Sequence, residues 1–427
     1  MKKYILNSLL VTAVLFVASC KPEIESPAGT TAGTANFGKY IAVGNSLTSG
    51  FADGGLYLEG QKVAYPNLIA EKMATVGGGS FTSPFFTDAQ ANGSGYLSLT
   101  ALVNGVPTLT PVTTNLAYRD ATHLAKYTGE VQNLGIPGMR VDLAFAGPFS
   151  AANPYFERLL PDAQVGVTTY FQFIQGRNHT FFSLWLGNND ALGYATNGGV
   201  TTDATNVLTD KSTFALLYSN LVNSLTAGGQ KGIVGTIPDV TAIPYFNTVT
   251  VAALLNAAKA INPAAAAIYI QTGTGAVRAA TSEDLIRLPF QSAGLFGVPN
   301  ASNIPYGLHP LNPIANNWVL DKDEVAKVKD YVLSYNNTIK SLADSKGLAI
   351  ADTYTYLNQV KTGIVINGIG INSAFITGGA FSLDGVHLTP RGNAVIANVF
   401  INSINAKYGS TIPIVDVTQY RGVKFPN

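Results

Sequence analysis

The 427-residue chain is poor in charge and in cysteine. Only 12% of its residues are Asp, Glu, Lys or Arg, and the formal net charge is +1, so no basic surface indicates a nucleic-acid partner. The single cysteine, Cys20, excludes an internal disulfide, and no His/Cys cluster with zinc-binding spacing exists, so we expect no metal and no cofactor. No internal repeat is visible. With 47% hydrophobic residues, the composition instead favours a large folded core.

The chain also lacks an apolar run long enough to span a membrane comfortably. Met1-Lys2-Lys3 is basic and is followed by an apolar segment over 4–18. A segment of about 15 residues is shorter than the roughly 20 that a transmembrane helix needs. The segment ends at Val17-Ala18-Ser19-Cys20, which resembles the lipobox of bacterial lipoproteins.

This resemblance implies a signal peptide over 1–19 and a lipidated Cys20, followed by a flexible Pro-, Gly- and Thr-rich tether over 20–36. Glu23 and Glu25 resemble the acidic export signals of Bacteroidetes surface lipoproteins. The expected location is the cell envelope, at the periplasmic or surface face of the outer membrane, with the lipid anchor as the membrane contact. An ordinary signal peptide that leaves a free thiol is the alternative.

A short apolar run later in the chain ends abruptly at a glycine. Tyr40 to Val43 predict a buried strand, Gly44 predicts a sharp turn, and Ser46 follows at the start of a helix. A serine there has its hydroxyl at the open end of a parallel sheet and its N–H among the unpaired donors of the helix. It could be a nucleophile. The alternative is a helix cap without chemistry, because serine is a preferred N-cap.

Apolar segments alternate with helical ones through the rest of the chain. After the first strand, strands are predicted over 131–134, 180–186, 232–237 and 348–352, and the main helices over 65–73, 213–225, 323–342 and 393–404. This alternation implies parallel βαβ units in a doubly wound α/β sheet. Aperiodic stretches at about 77–128 and 241–317 are predicted insertions. Loops after parallel strands gather at one edge of the sheet, so these should wall a cleft over Ser46.

A nucleophilic serine needs a base, and the base needs an orienting group. His387 lies in Asp384-Gly-Val-His387, just before the last predicted helix. A carboxylate three residues before a histidine can reach Nδ1 while Nε2 faces the cleft. The pattern therefore favours Asp384 and His387 as partners of Ser46. A structural or surface role is favoured for the remaining histidines, His123, His179 and His309.

Acyl transfer also needs hydrogen-bond donors for a developing oxyanion. The turns at 135–138 and 187–190 end the second and third predicted strands, beside the first. One offers a glycine N–H where a substrate must approach closely, and the other an asparagine amide. Taken alone, each turn is explained equally well as an ordinary loop or helix cap.

Together these segments resemble the four sequence blocks of the SGNH (GDSL) hydrolases. The matching segments are Gly44-Asn-Ser-Leu47, the turn at Gly138, Gly187-Asn-Asn-Asp190 and Asp384-Gly-Val-His387, with Tyr65-Pro66 and Thr389-Pro-Arg-Gly392 similar as well. The match covers about 37–404. It implies a flavodoxin-like three-layer α/β/α sandwich with a five-stranded parallel sheet and large loop insertions, in one hydrolase domain over 37–427.

The resemblance also implies the roles of the site residues. Ser46 would be the nucleophile and, through its N–H, an oxyanion donor. The Gly138 N–H and the Asn189 side chain would be the other donors. His387 would be the base, and Asp384 would orient it.

Two departures from the family pattern stand out. The first block usually reads Gly-Asp-Ser-Leu, and here Asn45 replaces the aspartate. Asparagine keeps a carbonyl oxygen that can accept hydrogen bonds but loses the charge. The chain is also much longer than a minimal family member, so substrate preference does not carry over.

The expected function is a serine ester hydrolase of the cell envelope, resembling acyl esterases and lipases and acting on a small-molecule or glycan ester. Apolar insertions at 81–86 and 285–296 lean toward acyl chains. A glycan O-acetyl esterase stays open, because aromatic residues also stack on sugars. A third interpretation is a non-catalytic surface lipoprotein that binds glycan or lipid on the same fold. The sequence does not define an oligomeric state.

Overall fold

The computed structural model describes residues 29–103 and 105–426. The predicted signal peptide over 1–19, the predicted lipidation site Cys20 and the first part of the predicted tether lie outside these residues. The lipoprotein interpretation therefore stays a prediction.

The folded unit begins earlier in the chain than the predicted boundary at residue 37. The carbonyl of Thr31 accepts the N–H of Thr411 at 2.9 Å, and the N–H of Thr34 donates to the carbonyl of Tyr408 at 2.8 Å. These bonds attach 31–36 to the end of the last helix. This segment is therefore part of the domain and not of a tether.

Strands and helices alternate along the described residues. The strands are β1 (Tyr40–Gly44), β2 (Tyr96–Val103), β3 (Val106–Val112), β4 (Asn133–Gly135), β5 (Phe181–Trp185), β6 (Lys231–Gly235), β7 (Tyr269–Gln271), β8 (Val277–Ala279), β9 (Leu285–Ile286), β10 (Val319–Leu320), β11 (Ala349–Ala351), β12 (Ile364–Ile366) and β13 (Ile369–Ile371). The α-helices are α1 (Ser46–Ser49), α2 (Leu58–Lys62), α3 (Tyr65–Ala74), α4 (Phe149–Ala152), α5 (Pro154–Glu157), α6 (Tyr170–Gln175), α7 (Asn189–Thr196), α8 (Lys211–Leu225), α9 (Pro244–Asn247), α10 (Val251–Ile261), α11 (Lys322–Lys346), α12 (Thr353–Thr362) and α13 (Pro390–Tyr408).

The central sheet contains five strands in the order β11-β6-β5-β1-β4. All of its pairings are parallel. Counted along the chain, the order is 2-1-3-4-5, which is the flavodoxin-like arrangement. The predicted fold class is therefore confirmed. Each predicted strand and main helix is present, with ends that differ by at most four residues.

Helices cover both faces of this sheet. Every residue of the central strand β5 is therefore buried. On one face Trp185 contacts Tyr65 of α3 and Phe400 of α13, with ring centroids 5.4 and 5.7 Å apart. The other layer includes α8 and α11, which pack through the stacked rings of Phe214 and Tyr335, 3.9 Å apart. The nearly continuous apolar run that predicted a strand covered on both faces is explained by these two layers.

The first insertion is more regular than its sequence predicts. It contains the antiparallel hairpin β2–β3, although the sequence shows no sustained period there. Pro107 and Pro111 interrupt the pattern of β3, and a proline inside a run normally argues against a strand. Both strands of this two-stranded ribbon are edges, so each proline can occupy a position that needs no N–H donor. The glycine-rich stretch at 363–379 likewise contains the hairpin β12–β13.

Both insertions contact the loop between β13 and α13. From the first insertion, Leu99 packs with Leu383 in a small apolar cluster. From the second, Tyr245 donates its N–H to the carbonyl of Gly385 at 3.0 Å. The loop that contains Asp384-Gly-Val-His387 is therefore held from two sides.

Candidate active site

Ser46 is the first residue of α1 and lies two residues after Gly44, the last residue of β1. The cap of this helix is Asn45, whose Oδ1 accepts the N–H of Leu47 at 3.1 Å. The Ser46 hydroxyl is therefore not used as a helix cap. The carbonyl oxygen that asparagine shares with aspartate supports the turn, whereas Nδ2 of Asn45 is buried without a hydrogen-bond partner among the described residues.

Gly44 allows β1 to turn closely into α1. A Cβ at this position would lie 2.0 Å from Oγ1 of Thr48 and 2.7 Å from the carbonyl oxygen of Trp185. The Gly44 N–H donates to the hydroxyl of Tyr170 at 3.1 Å, and that hydroxyl donates to the carbonyl of Leu134 at 2.6 Å. The buried tyrosine thus joins the ends of β1 and β4 beneath the serine.

Ser46, His387 and Asp384 form one chain of hydrogen bonds. Ser46 Oγ lies 2.9 Å from His387 Nε2, and His387 Nδ1 lies 2.8 Å from Asp384 Oδ2. An ionised carboxylate only accepts hydrogen bonds, so in the neutral ring the proton is on Nδ1 and the Nε2 lone pair faces the serine hydroxyl. A ring in this state can take the serine proton while Oγ attacks an electrophile.

Asp384 accepts hydrogen bonds from several groups besides the ring. Oδ1 accepts the backbone N–H groups of Val386 at 2.9 Å and His387 at 2.8 Å. It also accepts the Ser382 hydroxyl at 3.1 Å, while Oδ2 accepts the Gly54 N–H at 2.9 Å. Burial alone raises the pKa of Asp384, but the charge of a protonated His387 and these hydrogen bonds outweigh burial and lower the pKa below its ordinary value. The carboxylate is therefore charged at neutral pH.

Sequence reasoning did not identify Gly54 and Ser382 as residues that support Asp384. Gly54 belongs to an Asp53-Gly54-Gly55 turn shortly after α1, and Ser382 lies two residues before the aspartate. The Asp-Gly-Gly pattern does predict a turn. Nothing local indicates which distant loop that turn contacts.

Two aromatic rings lie beside the histidine. The centroid of the Phe51 ring is 4.7 Å from that of His387, and the Tyr155 ring is 6.0 Å from Phe51 at a nearly perpendicular angle. Both aromatic residues are half-buried. They give the site an apolar wall on the side of the base.

Two backbone N–H groups at the strand ends have no acceptor among the described residues. One belongs to Ser46, at the first position of α1, and the other to Gly138, whose φ is +80°. A positive φ is the conformation that glycine adopts without strain. An added Cβ at Gly138 would meet only Nδ2 of Asn153 at 3.5 Å, so the requirement for glycine there is conformational.

Asn189 begins α7 and reaches across to the turn after β4. Its Nδ2 donates to the carbonyl of Met139 at 2.9 Å. This bond uses one of the two amide hydrogens, and the second has no acceptor in the part of the chain that the structure describes. Asn189 is thus attached to the turn that contains Gly138.

A buried charged network underlies the same two turns. Arg140 is 1% exposed and donates to the carbonyl of Asn189 at 3.3 Å. Asp190 accepts the N–H of Val141 at 3.0 Å. Burial raises the pKa of Asp190 to about 7 against the opposing effect of Arg140. These bonds connect the loop after β4, which contains Gly138, to Asn189 and Asp190 at the start of α7.

The other three histidines have different surroundings. His123 pairs with Asp120 on the surface, with Nδ1 and Oδ2 2.9 Å apart. The rings of His179 and His309 bond to backbone groups. No bond joins any of the three to Ser46 in the described chain, and they occupy the structural or surface positions that the sequence favours for them.

Across 29–103 and 105–426, no cluster of three or more His, Cys, Asp or Glu side chains has an arrangement that could bind a metal ion. No helix within these ranges combines the length and the apolar character needed to cross a membrane.

Comparisons with known proteins add one structural likeness. No protein-family model matches the chain, and no curated protein matches it. Among solved structures, the chain is similar to the extracellular lipase of Streptomyces rimosus, with a TM-score of 0.33 and 11% sequence identity over 85% of this chain and 98% of the lipase chain. A TM-score this low carries no argument about function, so a functional assignment depends on the geometry of the site.

Proposed function

We propose that this protein is a serine ester hydrolase that acts through an acyl-enzyme intermediate. The observation that supports the proposal is the hydrogen-bond chain from Ser46 Oγ to His387 Nε2 and from His387 Nδ1 to Asp384 Oδ2, at 2.9 and 2.8 Å. A serine activated in this way needs an electrophile and a site for the negative charge that develops. Both requirements are met by an ester placed at the end of β1.

In the first half of the reaction, Ser46 Oγ attacks the ester carbonyl carbon while its proton moves to His387 Nε2. The carbonyl oxygen becomes an oxyanion and accepts the N–H of Ser46, the N–H of Gly138 and the free amide hydrogen of Asn189. The tetrahedral intermediate collapses as His387 protonates the departing alcohol oxygen. The acyl group is then bound to Ser46 as an ester.

In the second half, water takes the place of the alcohol. His387 removes a proton from the water as its oxygen attacks the acyl carbon, and then returns the proton to Ser46 Oγ. Asp384 stays ionised throughout and stabilises the imidazolium that forms twice in each cycle. The products are a carboxylic acid, an alcohol and the free enzyme.

The same arrangement supports the proposal that the chain is a member of the SGNH (GDSL) hydrolases. The four blocks lie at the ends of β1, β4 and β5 and in the loop before α13. Acyl esters are the preferred substrate class, because the half-buried rings of Phe51 and Tyr155 offer an apolar surface beside the base. A glycan O-acetyl ester would use the same catalytic groups and is tested against acyl esters below.

The first experiment measures hydrolysis of p-nitrophenyl acyl esters by the wild type and by Ser46→Ala. We expect the substitution to abolish turnover and leave the fold intact, and to prevent labelling by a fluorophosphonate probe. Unchanged hydrolysis by Ser46→Ala would refute the assignment. A wild type that neither turns over esters nor reacts with the probe would favour the non-catalytic binding protein instead.

A matched control distinguishes the proposed base from a histidine that merely sits beside an aspartate. His123 follows Asp120 by three residues, just as His387 follows Asp384, but the first pair is exposed. We expect His387→Ala to lose activity and His123→Ala to keep it. A series of acyl-chain lengths measured beside acetylated xylan then separates an acyl esterase from a glycan deacetylase.

We also propose that the enzyme is attached to the cell envelope through a lipid on Cys20. The support is the lipobox-like Val17-Ala18-Ser19-Cys20 and the basic and apolar segments before it. Metabolic labelling with an alkyne fatty acid should tag the full-length protein and not Cys20→Ser. Equal labelling of the two proteins would contradict the anchor without affecting the proposed chemistry.

A further inference from the structure

The Asp53-Gly54 turn is shaped to present two consecutive N–H groups to one loop. Asp53 has a φ of 54° and Gly54 a φ of 79°, so both adopt the left-handed conformation. The Asp53 N–H donates to Oγ of Ser382 at 3.0 Å, and the Gly54 N–H donates to Oδ2 of Asp384 at 2.9 Å. Because the Ser382 hydroxyl then donates to Oδ1 of Asp384 at 3.1 Å, both donors act on the same carboxylate.

The side chain of Asp53 holds the same loop by its backbone. Oδ1 accepts the N–H of Leu383, the residue before Asp384, at 2.9 Å. Oδ2 accepts the hydroxyl of Tyr57 at 2.7 Å. Asp53 is 8% exposed, so these bonds form in a largely water-free environment where their geometry is well defined.

The turn is itself supported by the hairpin of the first insertion. The N–H of Leu97 donates to the carbonyl of Asp53 at 2.7 Å. The ring of Tyr96 stacks on that of Tyr57, with centroids 4.2 Å apart. Asp53 is therefore held by Tyr57, the residue before α2, and by β2.

We propose that Asp53 is a positioning residue that sets the orientation of the Asp384 carboxylate through Ser382, Leu383 and the N–H of Gly54. This inference rests on the proposed function, in which Asp384 orients His387. Two of the five hydrogen bonds that Asp384 accepts depend on this turn: the Gly54 N–H donates to Oδ2, and the Ser382 hydroxyl, which accepts the Asp53 N–H, donates to Oδ1. Without them the carboxylate can rotate away from His387 Nδ1.

The test measures kcat and KM for the hydrolysis of p-nitrophenyl butyrate by the wild type, Asp53→Ala and Asp53→Asn. A displacement of about 1 Å in a catalytic group can reduce rate by about a hundredfold, so we expect Asp53→Ala to lower kcat by about 10- to 100-fold with KM within about twofold of wild type. Asparagine can accept the Leu383 N–H through Oδ1 and donate to the Tyr57 hydroxyl through Nδ2. Asp53→Asn should therefore restore kcat to within about threefold of wild type.

Two further variants keep the test decisive. Ser382→Ala removes one hydroxyl and leaves Asp53 in place, so it should fold even where Asp53→Ala does not, and we expect it to lower kcat by at least threefold without changing KM. Asp416→Ala is the control, because Asp416 holds a surface turn through Thr418 in a comparable way and should not affect kcat.

The outcomes separate this inference from the proposed function. If Ser46→Ala keeps its activity, the proposed function fails. If Ser46→Ala is inactive while Ser382→Ala or folded Asp53→Ala retains wild-type kcat, only the positioning role of Asp53 is refuted. A loss of affinity without a loss of kcat would overturn it as well, since the residue would then act on the substrate site.

Discussion

Replacing Asp384 by asparagine should keep the His387 ring in place but move its proton from Nδ1 to Nε2. Oδ1 accepts three hydrogen bonds, from the hydroxyl of Ser382 and the N–H groups of Val386 and His387. The asparagine carbonyl oxygen should therefore take this side. Nδ2 then replaces the oxygen that faces the ring and the Gly54 N–H. A ring nitrogen that faces an amide donor must accept, so the proton moves from Nδ1 to Nε2 and points at the serine.

The loss of activity follows from this change of tautomer. A ring protonated on Nε2 cannot accept the serine proton, which removes general-base catalysis worth about 10²–10⁴ in rate. The oxyanion donors and substrate binding are left intact. We expect kcat/KM to fall by about 10³–10⁴, equivalent to about 4–5.5 kcal/mol of transition-state stabilisation. The Gly54 N–H also loses its acceptor, so the free energy of unfolding should fall by about 1–3 kcal/mol.

Steady-state hydrolysis of p-nitrophenyl acetate and butyrate measures the first effect, and urea denaturation measures the second. The control is Asp120→Asn, in a pair with the same spacing and an Nδ1–Oδ2 distance of 2.9 Å but with side chains 50% and 41% exposed, compared with 15% for both members of the other pair. We expect this control to match wild type in activity. A folded Asp384→Asn enzyme that retains more than about a tenth of the wild-type kcat/KM would refute the tautomer argument.

Three further predictions concern the surroundings of the serine. Asn189→Ala should lower kcat by about 10²–10³ if its free amide hydrogen binds the oxyanion, and a loss below about threefold in the same ester assay would contradict that role. Gly44→Ala should lower the free energy of unfolding by about 3 kcal/mol, because its Cβ would lie 2.0 Å from Thr48 Oγ1. Gly370→Ala is the control, because no atom lies within 4 Å of its Cβ, and it should change the free energy of unfolding little. Equal losses of stability for the two variants in urea denaturation would contradict the steric argument. Finally, the pKa of Asp384 is lowered, so its charge stabilises the fold above about pH 4, and that contribution is lost as the pH falls through the folded pKa. Between about pH 5 and 2 the wild type should therefore lose thermal stability faster than Asp384→Asn, and parallel curves would contradict this.

The central sheet and the local turns were predictable because their signals lie close together in the sequence. The apolar run of β5 predicts a strand covered on both faces, and all of its residues are buried. The three-residue spacing of Asp384 and His387 predicts the 2.8 Å contact within one turn. The position of Ser46 after Gly44 predicts a hydroxyl at the carboxyl edge of the sheet. Each inference needs only a periodicity or a short motif.

The support of the site was not predictable in the same way. The bond from Gly54 to Asp384 joins residues 330 positions apart. In the sequence, Asp53 looks the same as an aspartate in any polar turn. The bond from Asn189 to Met139 also depends on how two loops meet. The hairpin β2–β3 was obscured by prolines that only an edge strand tolerates. In each case the deciding interaction is tertiary and leaves no local pattern.

The long insertions gain a physical role from these contacts. A parallel sheet of five strands places the serine, but Asp384 and His387 lie on a loop after β13 and outside the sheet. Such a loop would move relative to β1 unless other segments held it. The first insertion holds it directly through Leu99 and indirectly through Leu97, which supports the Asp53 turn. The second holds it through the bond from Tyr245 to Gly385. The added chain length therefore supports the loop that contains the proposed base, and shortening either insertion should reduce kcat even where substrate still binds.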